Sequence, residues 1–117
     1  MADRNGVCKS SSFHMKITEQ DIQKQIKEFL SLTGWFVVKN NTVGIYVKAR
    51  DTYIKNPARG LPDLTAIKAG RVVMIEIKRK GNKQSPDQLY FEKNWTEHGG
   101  EYLLVYNLEE VILKLKR

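Results

Sequence analysis

Three residues have types and a spacing that suit hydrolytic chemistry: Asp63, Glu76 and Lys78. They belong to two apolar, β-branched runs on either side of Ala69-Gly70, a pattern that predicts a β-hairpin. If Ala69-Gly70 is a two-residue loop, counting back along both strands sets Asp63 directly opposite Glu76. Because side chains alternate along a strand, Glu76 and Lys78 share one face.

Two opposed carboxylates favour a cation between them. Directly opposed residues have Cβ atoms about 4.5–5.5 Å apart, and like charges placed so are destabilising. Carboxylate oxygens are hard ligands that suit Mg²⁺ or Mn²⁺, which keep waters in their remaining positions. One such water is a candidate nucleophile. Lys78 is placed to orient or deprotonate it, or to stabilise charge in the transition state.

Two alternatives stay open at this point. A bare Glu-x-Lys is usually a solvated strand face, on which Lys78 would neutralise its neighbours. Ala69-Gly70 is also not a preferred two-residue hairpin pair. A bulge there would shift the register by one residue and separate the two carboxylates.

The order of these residues resembles a known nuclease pattern. Pro62-Asp63 followed by Glu76-Ile77-Lys78 resembles the PD-(D/E)xK nuclease superfamily. With further matches, the chain from about Thr18 to the C-terminus is similar to the VRR-NUC family, in its small stand-alone form from phages and bacteria. Those further matches are Gly60, Gln88, Gly99-Gly100 and an upstream Glu19.

The resemblance implies a restriction-endonuclease-like nuclease core and a metal-dependent DNA endonuclease. It implies that Asp63 and Glu76 bind Mg²⁺ or Mn²⁺, with the backbone carbonyl of Ile77 as a further ligand. It also implies a preference for branched DNA, particularly Holliday junctions. The residues that it assigns to catalysis are Asp63, Glu76, Lys78, Gln88 and Glu19.

Two of these residues also have local explanations. Glu19 stands in the first turn of a predicted helix, where the helix dipole favours an acid, and the residues alone favour that interpretation. Gln88 follows Ser85 by three positions, so it completes a capping box. By resemblance, Glu19 supports the metal site and Gln88 lies close to Lys78.

The net charge of +7 is concentrated around the candidate site. The segment 39–83 carries +8, and two of its three acidic residues are Asp63 and Glu76. A basic surface around an acidic metal site suits a phosphodiester substrate. A basic protein that is merely soluble would explain the net charge, but not why that charge is concentrated in one segment. The residues that we predict to contact nucleic acid are Lys48, Arg50, Lys55, Arg59, Arg79, Lys80 and Lys83.

Length and composition predict one domain. We expect residues 1–15 to form a flexible tail, because they are polar and aperiodic, and residues 16–117 to form a single VRR-NUC-like nuclease domain. Cys8 is the only cysteine, which excludes an internal disulfide and fits a reducing compartment. We therefore expect a cytoplasmic protein of a bacterial or phage-infected cell. No apolar run is long enough to span a membrane.

The element order predicts an α/β domain, bordering on α+β, with a mixed central sheet flanked by helices. The predicted elements are a helix capped by Thr18 and running to about Leu32, strands over Trp35–Lys39 and Val43–Lys48, a basic loop over Ala49–Gly60, the hairpin, a helix from Ser85 to His98, a strand over Glu101–Tyr106, and a helix capped by Asn107.

Two functional hypotheses follow. The first is a DNA endonuclease, and the alternative is a non-catalytic nucleic-acid-binding module with a basic face. A Holliday junction has two-fold related strands and needs two matched nicks, whereas the chain supplies one site. We therefore expect a symmetric homodimer, with exposed apolar positions on Val43–Val47 or the C-terminal helix as the candidate interface.

Overall fold

A computed structural model of the chain describes residues 17–40, 45–47, 49, 51–54 and 59–116. The predicted tail over residues 1–15 lies outside the described residues. Three of the predicted nucleic-acid contacts, Lys48, Arg50 and Lys55, lie outside them as well. Within the described part, no helix is long and apolar enough to cross a membrane.

The central sheet has four strands in the order β1-β4-β5-β6. β1, β4 and β5 pair antiparallel, and β6 joins β5 in parallel, so the predicted mixed α/β sheet is confirmed. The elements are α1 (Glu19–Leu32), β1 (Phe36–Lys39), β2 (Ile45–Val47), β3 (Thr52–Ile54), β4 (Leu64–Lys68), β5 (Arg71–Ile77), α2 (Pro86–Glu97), β6 (Glu101–Val105) and α3 (Leu108–Leu115).

The prediction of a loop over Ala49–Gly60 is wrong in one respect. Thr52–Ile54 forms strand β3, which pairs antiparallel with β2 in a separate two-stranded sheet. Thr, Tyr and Ile all favour strands, but three such residues between charged neighbours are too short a run to reveal a strand from sequence. Pairing with β2 decides the conformation.

Each of the three helices begins at a capping side chain. Thr18 and Asp21 exchange hydrogen bonds in a capping box at the start of α1, with N···O distances of 3.0 and 3.1 Å. Ser85 and Gln88 form the same arrangement at α2, and Asn107 caps α3. These caps satisfy amide groups that a helix leaves unpaired at its first turn, so the predicted helix starts are confirmed.

The two faces of the sheet differ in polarity. α1 and α3 cover one face, where Val73, Ile75 and Ile77 of β5 are at most 1% exposed. α2 lies over the other face, and its Phe91 contacts Tyr102 of β6 there, with ring centroids 6.4 Å apart. The first face is the apolar core, and the second carries the polar side chains of the candidate site.

The β4–β5 turn has a two-residue loop, as the register requires. Ala69 and Gly70 have φ angles of 50° and 81°, and positive φ at both central positions is the condition for a type I′ turn. Ala69 therefore occupies a left-handed conformation that costs an L-residue about 1–2 kcal/mol.

Ala69→Asn should stabilise the protein by about 1 kcal/mol, because Asn-Gly is the preferred pair for this turn. Urea unfolding of both proteins measures the difference. Ala69→Val serves as the control, and it should lower the free energy of unfolding because a β-branched residue fits positive φ poorly. Equal or reversed effects of Asn and Val would contradict the turn assignment.

Candidate active site

The hairpin brings Asp63 and Glu76 together at one end of the sheet. The β4–β5 ladder runs from the turn to the pair Leu64 and Ile75 without a bulge, so the next opposed pair is Asp63 and Glu76. The Oδ2 atom of Asp63 accepts a hydrogen bond from the amide of Ile77 at 2.9 Å. The register that would separate the two carboxylates is therefore excluded.

Strand β1 fixes the segment that leads into Asp63. The backbone amide of Asn40 donates to the Asp63 carbonyl at 2.8 Å. Its side chain donates to the Pro62 carbonyl at 3.0 Å and accepts from the Thr65 hydroxyl at 2.9 Å. No local sequence signal marks Asn40 for this position, since its partners are more than twenty residues away.

Glu76 is buried although it carries a carboxyl group. Its side chain is 3% exposed, and its Oε2 atom accepts a hydrogen bond from Gln88 Nε2 at 3.1 Å. Its Oε1 atom is also buried and has no hydrogen-bond partner in the part of the chain that the structure describes. An unpaired buried carboxylate oxygen is costly. The Asp63 carboxyl lies within hydrogen-bonding reach of Glu76, so the pair must share a proton or bind a ligand.

The two carboxyl groups change each other's ionisation. Burial, followed by the charge of Asp63, raises the pKa of Glu76 to about 8, against the opposing effect of Lys78. Burial also raises the pKa of Asp63, while its hydrogen bond from the Ile77 amide lowers it. Two such groups hold either a shared proton or a cation near neutral pH.

The donor set fits a hard divalent cation. The described residues contain no cluster of three or more His, Cys, Asp or Glu side chains that could hold a metal. The candidate site thus has two carboxylates, those of Asp63 and Glu76. A set of two carboxylate ligands suits Mg²⁺ or Mn²⁺, because these ions keep several bound waters. The orphaned Oε1 atom of Glu76 supports this fit. Ile77 as a carbonyl ligand stays a prediction.

Glu19 and Lys78 lie close enough to act on the pair through their charges. The charge of Glu19, at the start of α1, contributes to raising the pKa values of both Asp63 and Glu76. The charge of Lys78 contributes to lowering both. Lys78 follows β5 directly, and its amide donates to the carbonyl of Val105 at 3.0 Å, which anchors it to β6.

Gln88 completes the predicted capping box and also contacts Glu76, while its predicted proximity to Lys78 stays a prediction. Its Oε1 atom accepts a hydrogen bond from the Ser85 amide at 2.9 Å, which closes the capping box of α2. Its Nε2 atom donates to Glu76. One side chain thus starts the helix and contacts the candidate metal ligand, so the position of α2 determines the geometry of Glu76.

The segment before β4 holds the first turn of α2 in place. Gly60 has a φ of 71°, and a Cβ atom there would overlap the backbone carbonyl of Asp87. Arg59 Nε lies 2.6 Å from Asp87 Oδ1, and its guanidinium lies 4.1 Å above the ring of Tyr90. Close packing at Gly60 therefore sets how near Gln88 comes to Glu76.

Sequence reasoning missed a polar cluster on β6. Gln84 Nε2 donates to the Tyr102 hydroxyl at 3.1 Å and to Glu92 Oε1 at 3.0 Å. Burial raises the pKa of Tyr102, and the charges of Glu76 and Asp63 add to the effect. The alternation of side chains along β6 could have placed Tyr102 on the α2 face. Its hydrogen-bond partner Gln84 is distant in sequence, so the cluster itself could not be predicted.

Four of the predicted nucleic-acid contacts lie among the described residues, and they differ in whether their charge is paired. Arg79, Lys80 and Lys83 are exposed in the turn that follows Lys78. Arg59 is exposed too, but its guanidinium is already bonded to Asp87. The turn after β5 is therefore the described basic surface nearest the pair in sequence.

Comparisons with known proteins reveal the fold. No protein-family model matches the chain, and no curated protein does. A solved structure described as "VRR_NUC domain" matches with a TM-score of 0.62 and 22% sequence identity, over 85% of this chain and 97% of that one. The chain has the fold of a VRR_NUC domain. The resemblance seen in the sequence is thereby confirmed at the level of fold.

Gly60→Ala should destabilise the protein by roughly 2–4 kcal/mol, because the strain of positive φ adds to a steric overlap with α2. Gly70→Ala is the matched control, since Gly70 has a φ of 81° but no atom within 4 Å of an added Cβ. It should cost about 1–2 kcal/mol. Urea unfolding measures both, and equal losses would show that Gly60 does not hold α2.

The metal-free protein should lose stability as pH rises from about 4.5 to about 8. The pKa of Glu76 is higher in the folded than in the unfolded state, so the folded state binds the extra proton and loses that advantage as the group ionises. Glu76→Gln should flatten the profile, while the exposed control Glu28→Gln should not. Thermal midpoints in EDTA give the test, and an unchanged slope in Glu76→Gln would contradict the assignment.

Proposed function

We propose that the chain is a metal-dependent DNA endonuclease that hydrolyses phosphodiester bonds. The observation that carries this proposal is the buried Glu76, with an unpaired Oε1 atom, opposite Asp63 and followed in the chain by an exposed basic turn. Bringing two carboxylates together, one of them buried, is costly without a cation, and a bound metal ion can activate water for attack on a phosphodiester. The VRR_NUC fold supports the same reaction class.

The protein's own groups have separate functions in this proposal. When bound, Mg²⁺ or Mn²⁺ would supply Lewis-acid activation of the scissile phosphate and of the attacking water. Asp63 and Glu76 would hold the ion, with the Ile77 carbonyl as a further ligand. Asp63 is oriented by the Ile77 amide and Glu76 by Gln88.

Lys78 and Glu19 complete the proposed machinery. Lys78 carries the positive charge nearest in sequence to the pair, and it would orient the attacking water or stabilise charge that develops on the phosphate. Glu19 would provide an acidic group at the α1 side of the site, where its charge already acts on both carboxyl groups.

The alternative is a non-catalytic nucleic-acid-binding module. Such a module would use the exposed Arg79, Lys80 and Lys83 without needing Asp63 or Glu76. Such a module would gain nothing from a buried Glu76 opposite Asp63, an arrangement that opposes folding when no cation is bound. This cost favours the endonuclease over the binding module.

We further propose branched DNA, such as a Holliday junction, as the substrate and a symmetric homodimer as the working unit. The described residues contain one opposed carboxylate pair, whereas resolving a junction requires two matched nicks. A two-fold dimer would present two sites with the symmetry of the junction. On α3, Ile112 and Leu113 are 40% and 69% exposed, which supports this helix as part of the interface.

Asp63→Asn, Glu76→Gln and Lys78→Ala should each lower the rate of plasmid nicking at least about hundredfold, because each removes a charge from the transition state's surroundings. Duplex DNA affinity should stay within about twofold, since the basic turn is retained. Nicking with Mg²⁺, with Mn²⁺ and in EDTA gives the measurement, with Glu28→Gln as control. Near wild-type nicking by purified Asp63→Asn would rule out the proposed site.

The homodimer predicts a mass in light scattering of twice the chain mass of 13.5 kDa. Leu113→Glu should convert the dimer to a monomer and abolish paired nicking of a four-way junction, because it buries a charge at the interface. Leu32→Glu, at a position that is 86% exposed on α1, should do neither. A wild-type monomer both free and on junction DNA would overturn the dimer, and equal cleavage of junction, flap and linear duplex would overturn the preference.

A further inference from the structure

A groove of about 630 Å³ opens where the start of α1, the turn after β5 and the β6–α3 junction meet. Its volume falls in the range of small-molecule binding sites. The lining combines aliphatic, aromatic and cationic side chains, and Glu109 lies on it as the acidic member. The lining residues that matter for the argument are Ile17, Ile22, Arg79, Lys80, Tyr106 and Leu108.

The groove adjoins the candidate active site through two elements. Arg79 and Lys80 follow Lys78 directly in the chain. The cationic wall of the groove therefore begins just after the end of β5, the strand that carries Glu76. On the other wall, Ile17 and Ile22 lie on either side of Glu19 in sequence, and the charge of Glu19 acts on the carboxylate pair. Arg79 of the groove follows Glu76 of the pair by three positions, so the groove and the pair both adjoin the C-terminal end of β5.

We propose that this groove binds unpaired nucleotides of the DNA strand that continues from the scissile phosphate. Arg79 and Lys80 would contact the backbone phosphates. Tyr106 would stack on a base, with the aliphatic residues packed beside it, which is the combination that single-strand sites use. A base paired within a duplex has its faces covered by its neighbours, so only an unpaired strand can use such a wall.

The proposal deepens the proposed endonuclease and rests on it for the path of the strand. Among branched DNAs it favours those that carry a single-stranded segment beside the cleaved bond, whereas the arms of a Holliday junction are fully paired. Charge complementarity and continuity with a phosphodiester site favour nucleic acid over an acidic peptide. An acidic peptide would satisfy Arg79 and Lys80 but would have no use for the proximity to Asp63 and Glu76.

The test measures binding in EDTA by fluorescence anisotropy, so that no cleavage occurs. Three fluorescent duplexes are compared: one blunt, one with a six-nucleotide single-stranded arm, and one with an abasic arm of the same charge. The normal arm should tighten binding by roughly fivefold or more relative to the abasic arm, because each stacked base contributes about 1–3 kcal/mol. The abasic arm isolates stacking from the added phosphates.

Tyr106→Leu should abolish the difference between the normal and abasic arms and leave the affinity for blunt duplex unchanged. Tyr106→Phe should retain the difference because it keeps the ring. Phe36→Leu, which removes an exposed aromatic ring on β1, is the matched control and should also retain it. Circular dichroism and thermal midpoints verify that each variant is folded.

Arg79→Ala combined with Lys80→Ala should reduce the salt dependence of binding to the normal arm, by about 0.7 in the log–log slope for each lost single-strand contact. Equal binding of normal and abasic arms by the wild-type protein would overturn the proposal. A Tyr106→Leu variant that loses affinity for blunt duplex as much as for the duplex with the normal arm would also overturn it. Displacement of the armed duplex by poly-glutamate as efficiently as by oligo(dT) would instead identify an acidic-peptide site.

The endonuclease and the groove can fail separately. If the normal arm is preferred through Tyr106 but no DNA is cleaved with Mg²⁺ or Mn²⁺, the groove stands and the endonuclease does not. If DNA is cleaved but normal and abasic arms bind alike, the endonuclease stands and the groove proposal is wrong.

Discussion

The structure depends on the juxtaposition of Asp63 and Glu76 at the end of a hairpin. Placing one carboxyl group directly opposite another, with Glu76 only 3% exposed, opposes folding through both desolvation and charge repulsion. Local contacts compensate in part: the Ile77 amide binds Asp63, Gln88 binds Glu76, and Lys78 adds a nearby positive charge. The Oε1 atom of Glu76 remains without a partner among the described residues, which is why we interpret the pair as a cation site.

Most of the surrounding fold can be understood as support for that pair. On one face of β5, Val73, Ile75 and Ile77 anchor the strand in the apolar core beneath α1 and α3. On the opposite face, Met74 and Glu76 lie toward the polar side of the sheet. Because strand parity links the two faces, the burial of the apolar residues fixes where Glu76 points. A strong core on one side thus holds a strained polar pair on the other.

Sequence reasoning succeeded where structure is determined locally. The register of the hairpin and the caps at Thr18 and Ser85 follow from residues close in sequence, whereas the bond from Gln88 to Glu76 spans twelve positions. Ala69-Gly70 shows the limit of turn preferences, because register and core burial impose the type I′ turn on a residue that disfavours it. The fold could therefore be predicted well around the pair, although one local preference was misleading.

Features that depend on distant contacts could not be predicted. Strand β3 exists because β2 pairs with it, and the Gln84–Tyr102 bond joins a turn to a strand eighteen positions on. Likewise, nothing local indicates that Arg59 would contact Asp87 and Tyr90 on α2. From sequence Arg59 reads as one more cation for DNA, whereas in the structure its side chain also holds the helix that carries Gln88.

We propose that Asp63 and Glu76 form one site for a divalent cation. Isothermal titration of the metal-free protein with Mn²⁺ measures this binding without any assumption about the substrate. We expect one ion per chain, with affinity that rises with pH as Glu76 loses its proton, and loss of that binding in both Asp63→Asn and Glu76→Gln. Unchanged Mn²⁺ binding in both variants, or no binding by the wild-type protein at pH 8, would contradict it.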